Sequence, residues 1–254
     1  MRTALKGRLE ALLAWLRRSG RLEPAILLAI LGAVGALWIF GSLAAEVVGG
    51  DTAKFDERLL LAVRRPDNLA VPAGPAWTLQ VARDLTAFGG PVGLGLVIAG
   101  VTGYLALERR FGLMVFVLAS TASGTVLGLF LKEFFHRARP QIVPHLTDIS
   151  TASFPSGHSM LSSVAYLTMA ALLARAARTL HTKVYFLGVA VVLIGLIGCS
   201  RVYLGVHYPT DVLAGWCVGS AWAILCCVVA HLVARRHAFP QAQQLEQQDG
   251  PTGT

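Results

Sequence analysis

Three short polar segments of this sequence carry residue types suited to chemistry on a phosphate group. They span residues 132–140, 155–158 and 200–211, and each adjoins a long apolar run. Between them they hold lysine, arginine and histidine side chains. Lysine and arginine donate charge-assisted hydrogen bonds to phosphate oxygens, and arginine can donate two in parallel. The combination predicts an anion site in which imidazoles attack phosphorus or transfer protons.

The cationic and backbone groups of such a site can be assigned from residue type and position. Phosphoryl transfer requires neutralisation of three oxygens, an aligned nucleophile and a proton for the leaving group. Lys132, Arg139 and Arg201 are the expected positive clamp. Ser156 and Gly157 open an apolar run, where the free N–H groups and dipole of a helix start attract an anion. Gly157 also allows the backbone to approach closely.

Two histidines divide the remaining chemistry. His207 lies four residues before Asp211, and such a carboxylate fixes the imidazole tautomer and stabilises positive charge as the other nitrogen attacks. We therefore expect His207 to be the nucleophile and to form a phosphohistidine. His158 is the expected acid for the departing alkoxide and then the base that activates water. We expect no cofactor.

The composition indicates which elements position these residues. The chain has 254 residues, of which 55% are hydrophobic, and a mean hydropathy of +0.61, which is too apolar for an ordinary soluble domain. A helix needs about 20 apolar residues to cross a bilayer. Runs of that kind occur near 25–47, 91–107, 112–131, 159–175, 184–200 and 211–234. The predicted fold class is therefore an all-α polytopic membrane protein with six transmembrane helices and additional amphipathic surface helices.

The basic residues predict the orientation of these spans, because cytoplasmic flanks retain positive charge. Of the 22 lysines and arginines, 13 lie in 1–23, 109–110, 175–183 and 235–236. Both termini are then cytoplasmic, and all three polar segments emerge outside. The lysine and arginines of those segments then lie on the outer side, where the charge rule disfavours them. A bound phosphate would explain their presence there. We expect a bacterial plasma membrane protein whose site faces the periplasm or the exterior.

The chain divides into three expected regions. Residues 1–23 form an amphipathic cytoplasmic segment, and 24–236 form the six-span domain. Within that domain, 51–90 is external and contains two short surface helices; its stretch 51–84 holds five basic and five acidic residues. Residues 237–254 are expected to be a disordered tail. Cleavage of a signal peptide after the small residues 42–44 is the minor alternative.

Together the three segments resemble the complete signature of the type 2 phosphatidic acid phosphatase family, whose core is similar to that of vanadium haloperoxidases. They read KEFFHRARP, PSGH and SRVYLGVHYPTD. The resemblance covers roughly residues 91–234. It implies a metal-independent lipid phosphate or diphosphate phosphatase with a phosphatase/haloperoxidase-like helical bundle and the same roles for His207 and His158.

Several functions remain open at this level. The substrate is undecaprenyl diphosphate, phosphatidylglycerol phosphate, phosphatidic acid or phosphorylated lipid A, and a phosphotransferase or peroxidase would use the same pocket. A six-span transporter is disfavoured because no ionisable residues lie near mid-span. A metal site of His158, His207 and Asp211 suits the residue types, but the adjacent cations would repel a metal ion. The partners expected are the bilayer and its lipid phosphate, with no nucleic acid and no obligate protein partner.

Residues near the signature receive less specific interpretations. His136 and Arg137 are either headgroup contacts or structural residues. The expected solvated loop residues are Glu133, His145 and Asp148. Tyr203 and Tyr208 are expected to pack or to lie at the membrane interface. The cysteines behave as small apolar residues rather than as a disulfide framework or zinc site; they are Cys199, Cys217, Cys226 and Cys227.

Overall fold

The computed structural model describes residues 24–147 and 151–248, with side chains through 235. Its helices are α1 Pro24–Gly49, α2 Ala53–Ala62, α3 Ala76–Ala87, α4 Pro91–Leu107, α5 Phe111–Phe135, α6 Gly157–Ala176, α7 Leu180–Tyr203 and α8 Pro209–Gln248. Strands β1 Arg64–Arg65 and β2 Asn68–Pro72 pair antiparallel. The predicted amphipathic segment 1–23, the predicted loop residue Asp148 and the tail residues 249–254 lie outside the described residues.

The described helices provide five to six candidate membrane spans, against the six predicted. Five are long and apolar enough to cross a membrane, namely α1, α5, α6, α7 and α8 as far as Arg235. Helix α4 has the predicted bounds, but at 17 residues it is short. It forms the sixth candidate span together with α3, across a bend of 47°. The protein is therefore an integral membrane protein of largely helical fold.

Two elements differ from the expectations. Helix α8 continues to Gln248, over most of the segment predicted to be disordered, because Ala, Gln, Glu and Leu extend an established helix readily. The segment 51–90 contains the two predicted helices, α2 and α3, but also the β1–β2 hairpin between them. Four of the five residues of β2 are exposed. No hydrophobic alternation therefore marks this strand in the sequence.

Helix α6 is the centre of the bundle and packs against α5, α7 and α8. Its close approach to α8 depends on Gly215 and Gly219, a pair of small residues four apart that is typical of tight helix crossings in membranes. A Cβ atom on Gly219 would lie 2.4 Å from the carbonyl oxygen of Met160, and one on Gly215 would lie 2.8 Å from that of Ser156. This crossing fixes the first turn of α6, which carries His158.

We predict that Gly219→Ala lowers the melting temperature in detergent and the turnover number together. The added methyl group meets backbone, so α6 must move, and overpacking of this kind costs about 1–3 kcal/mol. The matched control is Gly95→Ala in α4, where a Cβ would have nothing within 4 Å. Alanine is the better helix former, so that variant should melt no lower than the native protein. Equal melting temperatures for the two variants would contradict the close packing of α6 against α8 at Gly219.

Candidate active site

A cavity of about 340 Å³ opens at one end of the bundle, where the ends of several helices meet. Its wall combines the α3–α4 connection, the end of α5, the start of α6, the end of α7 and the loop before α8. Six of the eight predicted site residues line it: Lys132, Arg139, Gly157, His158, Arg201 and His207. Segments far apart in the chain therefore supply one cationic cavity, with both predicted histidines on its wall.

Backbone carbonyls just before α6 hold two of the cations in place. The Nζ of Lys132 donates to the carbonyl oxygen of Ala152 at 2.6 Å. The Nε of Arg139 donates to the carbonyl oxygen of Thr151 at 2.7 Å, and its Nη1 donates to that of Val206 at 2.7 Å. Sequence reasoning missed Thr151 and Ala152, although both directly precede the second polar segment. Fixed cations of this kind bind an anion with little reorganisation.

Arg201, a residue that is 3% exposed, contributes a guanidinium group. Its Nη1 donates to the hydroxyl of Thr86, at the end of α3, at 2.9 Å. Among the described residues, the Nε–H of Arg201 is buried without an acceptor. A buried unpaired donor costs roughly 1–3 kcal/mol. Because the side chain lines the cavity, a bound anion would satisfy this group.

The hydrogen bonds of His207 define its tautomer. This residue is 1% exposed, with its Nδ1 at 3.4 Å from Oδ2 of Asp211 and its Nε2 at 3.2 Å from Nη1 of Arg139. Arginine can only donate, so Nε2 accepts and the proton resides on Nδ1. The unprotonated nitrogen thus faces the cations of the cavity, which is the orientation that a nucleophile requires.

Asp211 lies behind the imidazole rather than in the cavity, and its side chain is fully buried. Its Oδ2 accepts from the hydroxyl of Ser153 and from the backbone N–H of Tyr208, the latter at 2.9 Å. Its Oδ1 accepts from Nη1 of Arg137 at 2.6 Å. The carboxylate is therefore held by several donors in addition to His207. Ser153, which also lies 3.4 Å from Nδ1 of His207, was not predicted.

The loop that carries His207 turns at Gly205, whose φ is +74°. A Cβ there would lie 2.6 Å from Nη2 of Arg64, so glycine is required for both its conformation and the space. Nη1 of Arg64 donates to the carbonyl oxygen of Tyr203 at 2.8 Å, and the Tyr203 hydroxyl donates to that of Ala73 at 2.7 Å. The segment 51–90 thus anchors the loop that carries His207, and Tyr203 packs against the cluster of Ala82, Leu204 and Val206.

We predict that His207 stays neutral well below neutral pH. Burial lowers its pKa from 6.5 to about 4, with the nearby cations Arg139 and Arg201 acting in the same direction and Asp211 opposing them. The unfolded chain binds this proton first, so folding stability is lost as the pH falls from 6.5 towards about 4. Histidine NMR signals should show the change, with His207→Gln as the assignment control. The signal of His207 is the one that is absent from the spectrum of His207→Gln. A titration midpoint near 6.5 for that signal in the native protein would contradict the buried environment.

His158 lies in the first turn of α6, against the glycines that separate α3 from α4. A Cβ on Gly90 would lie 3.4 Å from its Nε2, and one on Gly89 would lie 3.5 Å from its Cδ2. The two glycines leave space beside the ring. Leu94 and Leu161 complete an apolar side of the cavity. The Gly-Gly-Pro sequence at 89–91 marks a break in the chain, but its contact with His158 depends on tertiary packing.

Ser156, a predicted anion contact, and Arg137, for which a headgroup contact was one of two interpretations, have other positions. The Oγ of Ser156 accepts from the N–H and hydroxyl of Ser159 at 3.4 and 3.1 Å, so it caps α6 instead of lining the cavity. Arg137 does not extend outward as a headgroup contact. Its guanidinium carbon lies 4.5 Å from the ring centre of Tyr208, and its nitrogens pair with Asp56 and Asp211. Buried carboxylates attract it more strongly than solvent does.

The remaining residues near the signature are peripheral. His136 and Glu133 are exposed and pair with each other at 3.1 Å. His145 is an exposed loop residue whose Nε2 donates to the carbonyl oxygen of Pro140 at 2.6 Å. The four cysteines are free thiols, with Cys199 exposed and the others half-buried. None of these side chains lines the cavity.

Comparisons with known proteins agree with this geometry. The PAP2 superfamily model matches residues 113–235. Phosphatidylglycerophosphatase B of Bacillus subtilis is 36% identical over 147 residues, which are 56% of this chain and 70% of the relative. Decaprenylphosphoryl-5-phosphoribose phosphatase of Mycobacterium tuberculosis is 32% identical over 145 residues, 56% of this chain and 75% of the relative.

A solved structure extends the similarity to the fold. The transmembrane PAP2 type phosphatidylglycerolphosphate phosphatase from Bacillus subtilis aligns with a TM-score of 0.69 at 29% identity, over 79% of this chain and 96% of that chain. The matched family region contains the polar segments, helices α6 and α7, and most of α5 and α8. The chain therefore belongs to the PAP2 superfamily, and it is an integral membrane phosphatase that acts on lipid phosphates.

Proposed function

We propose that this protein hydrolyses the phosphate of a membrane lipid at the extracytoplasmic face, through a phosphohistidine formed at Nε2 of His207. The observation that carries the proposal is the orientation of that ring. Its Nδ1 faces Asp211 while its Nε2 lies 3.2 Å from Arg139, on the wall of a cationic cavity. An unprotonated nitrogen beside the cations that bind the phosphate is positioned to attack phosphorus.

In the first step, Lys132, Arg139 and Arg201 neutralise the phosphate oxygens, with help from backbone N–H groups at the start of α6. The Nε2 lone pair forms a bond to phosphorus as the bond between phosphorus and the lipid oxygen breaks. His158 gives its proton to that oxygen, so the lipid leaves as an alcohol. His207 retains its proton on Nδ1, and Asp211 stabilises the positive ring.

In the second step, His158 takes a proton from water, and the resulting hydroxide attacks phosphorus from the cavity. The bond from phosphorus to Nε2 breaks, and its electron pair returns to His207. Inorganic phosphate leaves, and the acid form of His158 is regenerated. Each step combines a displacement at phosphorus with a proton transfer. In this mechanism the side chains of the cavity carry out both without a cofactor.

We propose a phosphomonoester lipid as the preferred substrate, with phosphatidylglycerol phosphate as the leading candidate. Three cationic side chains match the three non-bridging oxygens of one phosphate, and Leu94 and Leu161 offer an apolar side to the lipid. The 36% identical relative and the solved structure at TM-score 0.69 are both named for phosphatidylglycerol phosphate. Another relative, from Sulfolobus acidocaldarius, is named undecaprenyl-diphosphatase, so a diphosphate is the second candidate.

The orientation belongs to the same proposal. The polar segments lie at one end of the bundle, and the basic residues of 109–110, 175–183 and 235–236 support a cytoplasmic position for the other end. A cysteine-reactive probe of low permeability tests this in intact cells. A single cysteine in the exposed β1–β2 turn should react from outside, whereas one near Arg109 should react after lysis. The reverse pattern would contradict the proposed face.

The reaction is tested with purified protein in detergent micelles, chelator and four lipids: phosphatidylglycerol phosphate, phosphatidic acid, undecaprenyl diphosphate and lipid A 1-phosphate. We expect phosphate release, fastest from the first, and a labelled protein after an alkaline quench with labelled lipid, since phosphohistidine survives base. Release from none of the lipids, loss of release with chelator, or the absence of a base-stable label would each count against the proposal.

A further inference from the structure

A chain of buried charges runs from the proposed nucleophile to the external segment. Arg137 lies between two carboxylates, with Nη1 at 2.6 Å from Oδ1 of Asp211 and Nη2 at 2.8 Å from Oδ2 of Asp56. Both carboxylate side chains are 0% exposed, and that of Arg137 is 16% exposed. Asp56 belongs to α2, which lies outside the region matched by the family model.

Asp56 also contacts the start of the helix that bears Asp211. Its Oδ1 accepts from the backbone N–H of Thr210 at 3.0 Å, and its Oδ2 accepts from the Thr210 hydroxyl at 2.6 Å. That hydroxyl in turn accepts from Nη1 of Arg137 at 2.8 Å. A carboxylate at this position satisfies a free N–H of the first turn of α8 and complements its dipole.

The net charge of Asp56, Arg137 and Asp211 decides how strongly Asp211 acts on His207. Burial opposes ionisation of Arg137, but Asp211 and Asp56 outweigh it and raise the pKa of Arg137, so it stays cationic. Arg137 alone would cancel the charge of Asp211. With Asp56 present, the three groups carry a net charge of −1 next to the imidazole. Charges act more strongly in a buried region than in water.

We propose that Asp56 is a positioning residue of the phosphatase reaction: it offsets the charge of Arg137, so that Asp211 remains an effective anion behind His207, and it holds the first turn of α8. The inference rests on the proposed phosphohistidine mechanism, in which the ring of His207 becomes positive. An external helix that carries no signature residue thereby takes part in the chemistry without touching the substrate.

The test substitutes Asp56→Asn, which preserves shape and removes charge. We expect the turnover number to fall about 10- to 100-fold, as for outer partners of a catalytic group, while KM changes less than about twofold because the cations of the cavity are untouched. Inhibition by inorganic phosphate should be unchanged. Inhibition by vanadate, which binds as a transition-state mimic through a bond to the imidazole, should weaken in proportion to turnover.

Three further variants separate charge from folding. Asp84 lies in the same segment, is exposed and accepts a hydrogen bond from Gln80. The variant Asp84→Asn should therefore have the turnover number of the native enzyme. Thr210→Val removes the hydroxyl that donates to Asp56 and accepts from Arg137 but keeps the backbone N–H bond and every charge, so it should reduce turnover less than Asp56→Asn. The double variant Asp56→Asn/Arg137→Gln restores the native net charge, and we expect it to turn over about tenfold faster than Asp56→Asn, a coupling of ordinary size for contacting residues.

Turnover of Asp56→Asn within twofold of Asp84→Asn would overturn the inference, as would a double variant no faster than the single one. Should Asp56→Asn fail to fold, the turnover of Asp56→Asn/Arg137→Gln is compared with that of Asp211→Asn. Equal turnover of these two variants would overturn the inference. Absence of a base-stable label in the native enzyme would instead refute the proposed mechanism. The failures of the two proposals are therefore distinguishable.

Discussion

Replacement of His207 by alanine is expected to lower lipid phosphate release about 10⁴-fold or more, the loss typical when a nucleophile of a concerted catalytic unit is removed. Of the described side chains that line the cavity, only that of His207 has a carboxylate behind its ring. The ring is 1% exposed, its Nε2 is the nitrogen that faces the cations, and Asp211 and Ser153 both lie on its opposite side. No phosphoenzyme should form with any leaving group.

Two variants control for folding. His207→Gln retains an acceptor for Arg139 and should be as inactive as His207→Ala while binding inorganic phosphate. His181→Ala removes an exposed histidine at the start of α7 and should retain native turnover. The measurement is phosphate release from micellar lipid together with labelling after an alkaline quench. Native turnover, or a base-stable label, in His207→Ala would exclude His207 as the nucleophile.

Replacement of His158 by alanine is expected to lower lipid turnover about 10³-fold, within the range for general acid–base groups. The consequence for the intermediate differs from that of His207→Ala. A lipid alkoxide is a poor leaving group without a proton, whereas nitrophenolate leaves readily unprotonated. With p-nitrophenyl phosphate, we therefore expect a burst of one nitrophenolate per enzyme, followed by slow turnover, because the water of the second step lacks its base.

The diagnostic observation is thus accumulation of phosphohistidine in His158→Ala and its absence in His207→Ala. Rapid-quench measurement of label and nitrophenolate in the same samples provides it. A His158→Ala enzyme with no burst would show that this histidine is needed for attack as well as protonation. A burst followed by native turnover would show that another group activates water.

The site could be predicted from sequence because its cations and imidazoles adjoin apolar runs. Charges such as Lys132, Arg139 and Arg201 are costly at a membrane edge unless they have partners. Their positions relative to the spans also place them at the same end of the bundle. The structure accordingly gathers them on one cavity wall with both histidines. Two of the eight predicted site residues do not line the cavity. Asp211 lies behind His207 as its partner, and the hydroxyl of Ser156 caps α6.

The supporting residues could not be found in this way. Asp56 belongs to a segment with balanced charges, which is typical of a solvated surface, yet its partner Arg137 lies 81 residues away. Arg137 lies two residues before the signature residue Arg139, and nothing local indicates that it turns inward. Thr151, Ala152 and Ser153 have no unusual residue type. Their importance comes from the carbonyl and hydroxyl oxygens that they present to Lys132, Arg139 and Asp211.

By itself, the sequence determined that the chain spans a membrane, which residues gather at one end of the bundle, and which of them suit phosphoryl transfer. These are properties of apolar run length and residue type, which the bilayer imposes locally on each helix. Tertiary structure alone decided the tautomer of His207, the inward turn of Arg137 and the burial of Asp56. Hydrogen bonds between distant segments form only where packing excludes water, and no local pattern records which donor then meets which acceptor.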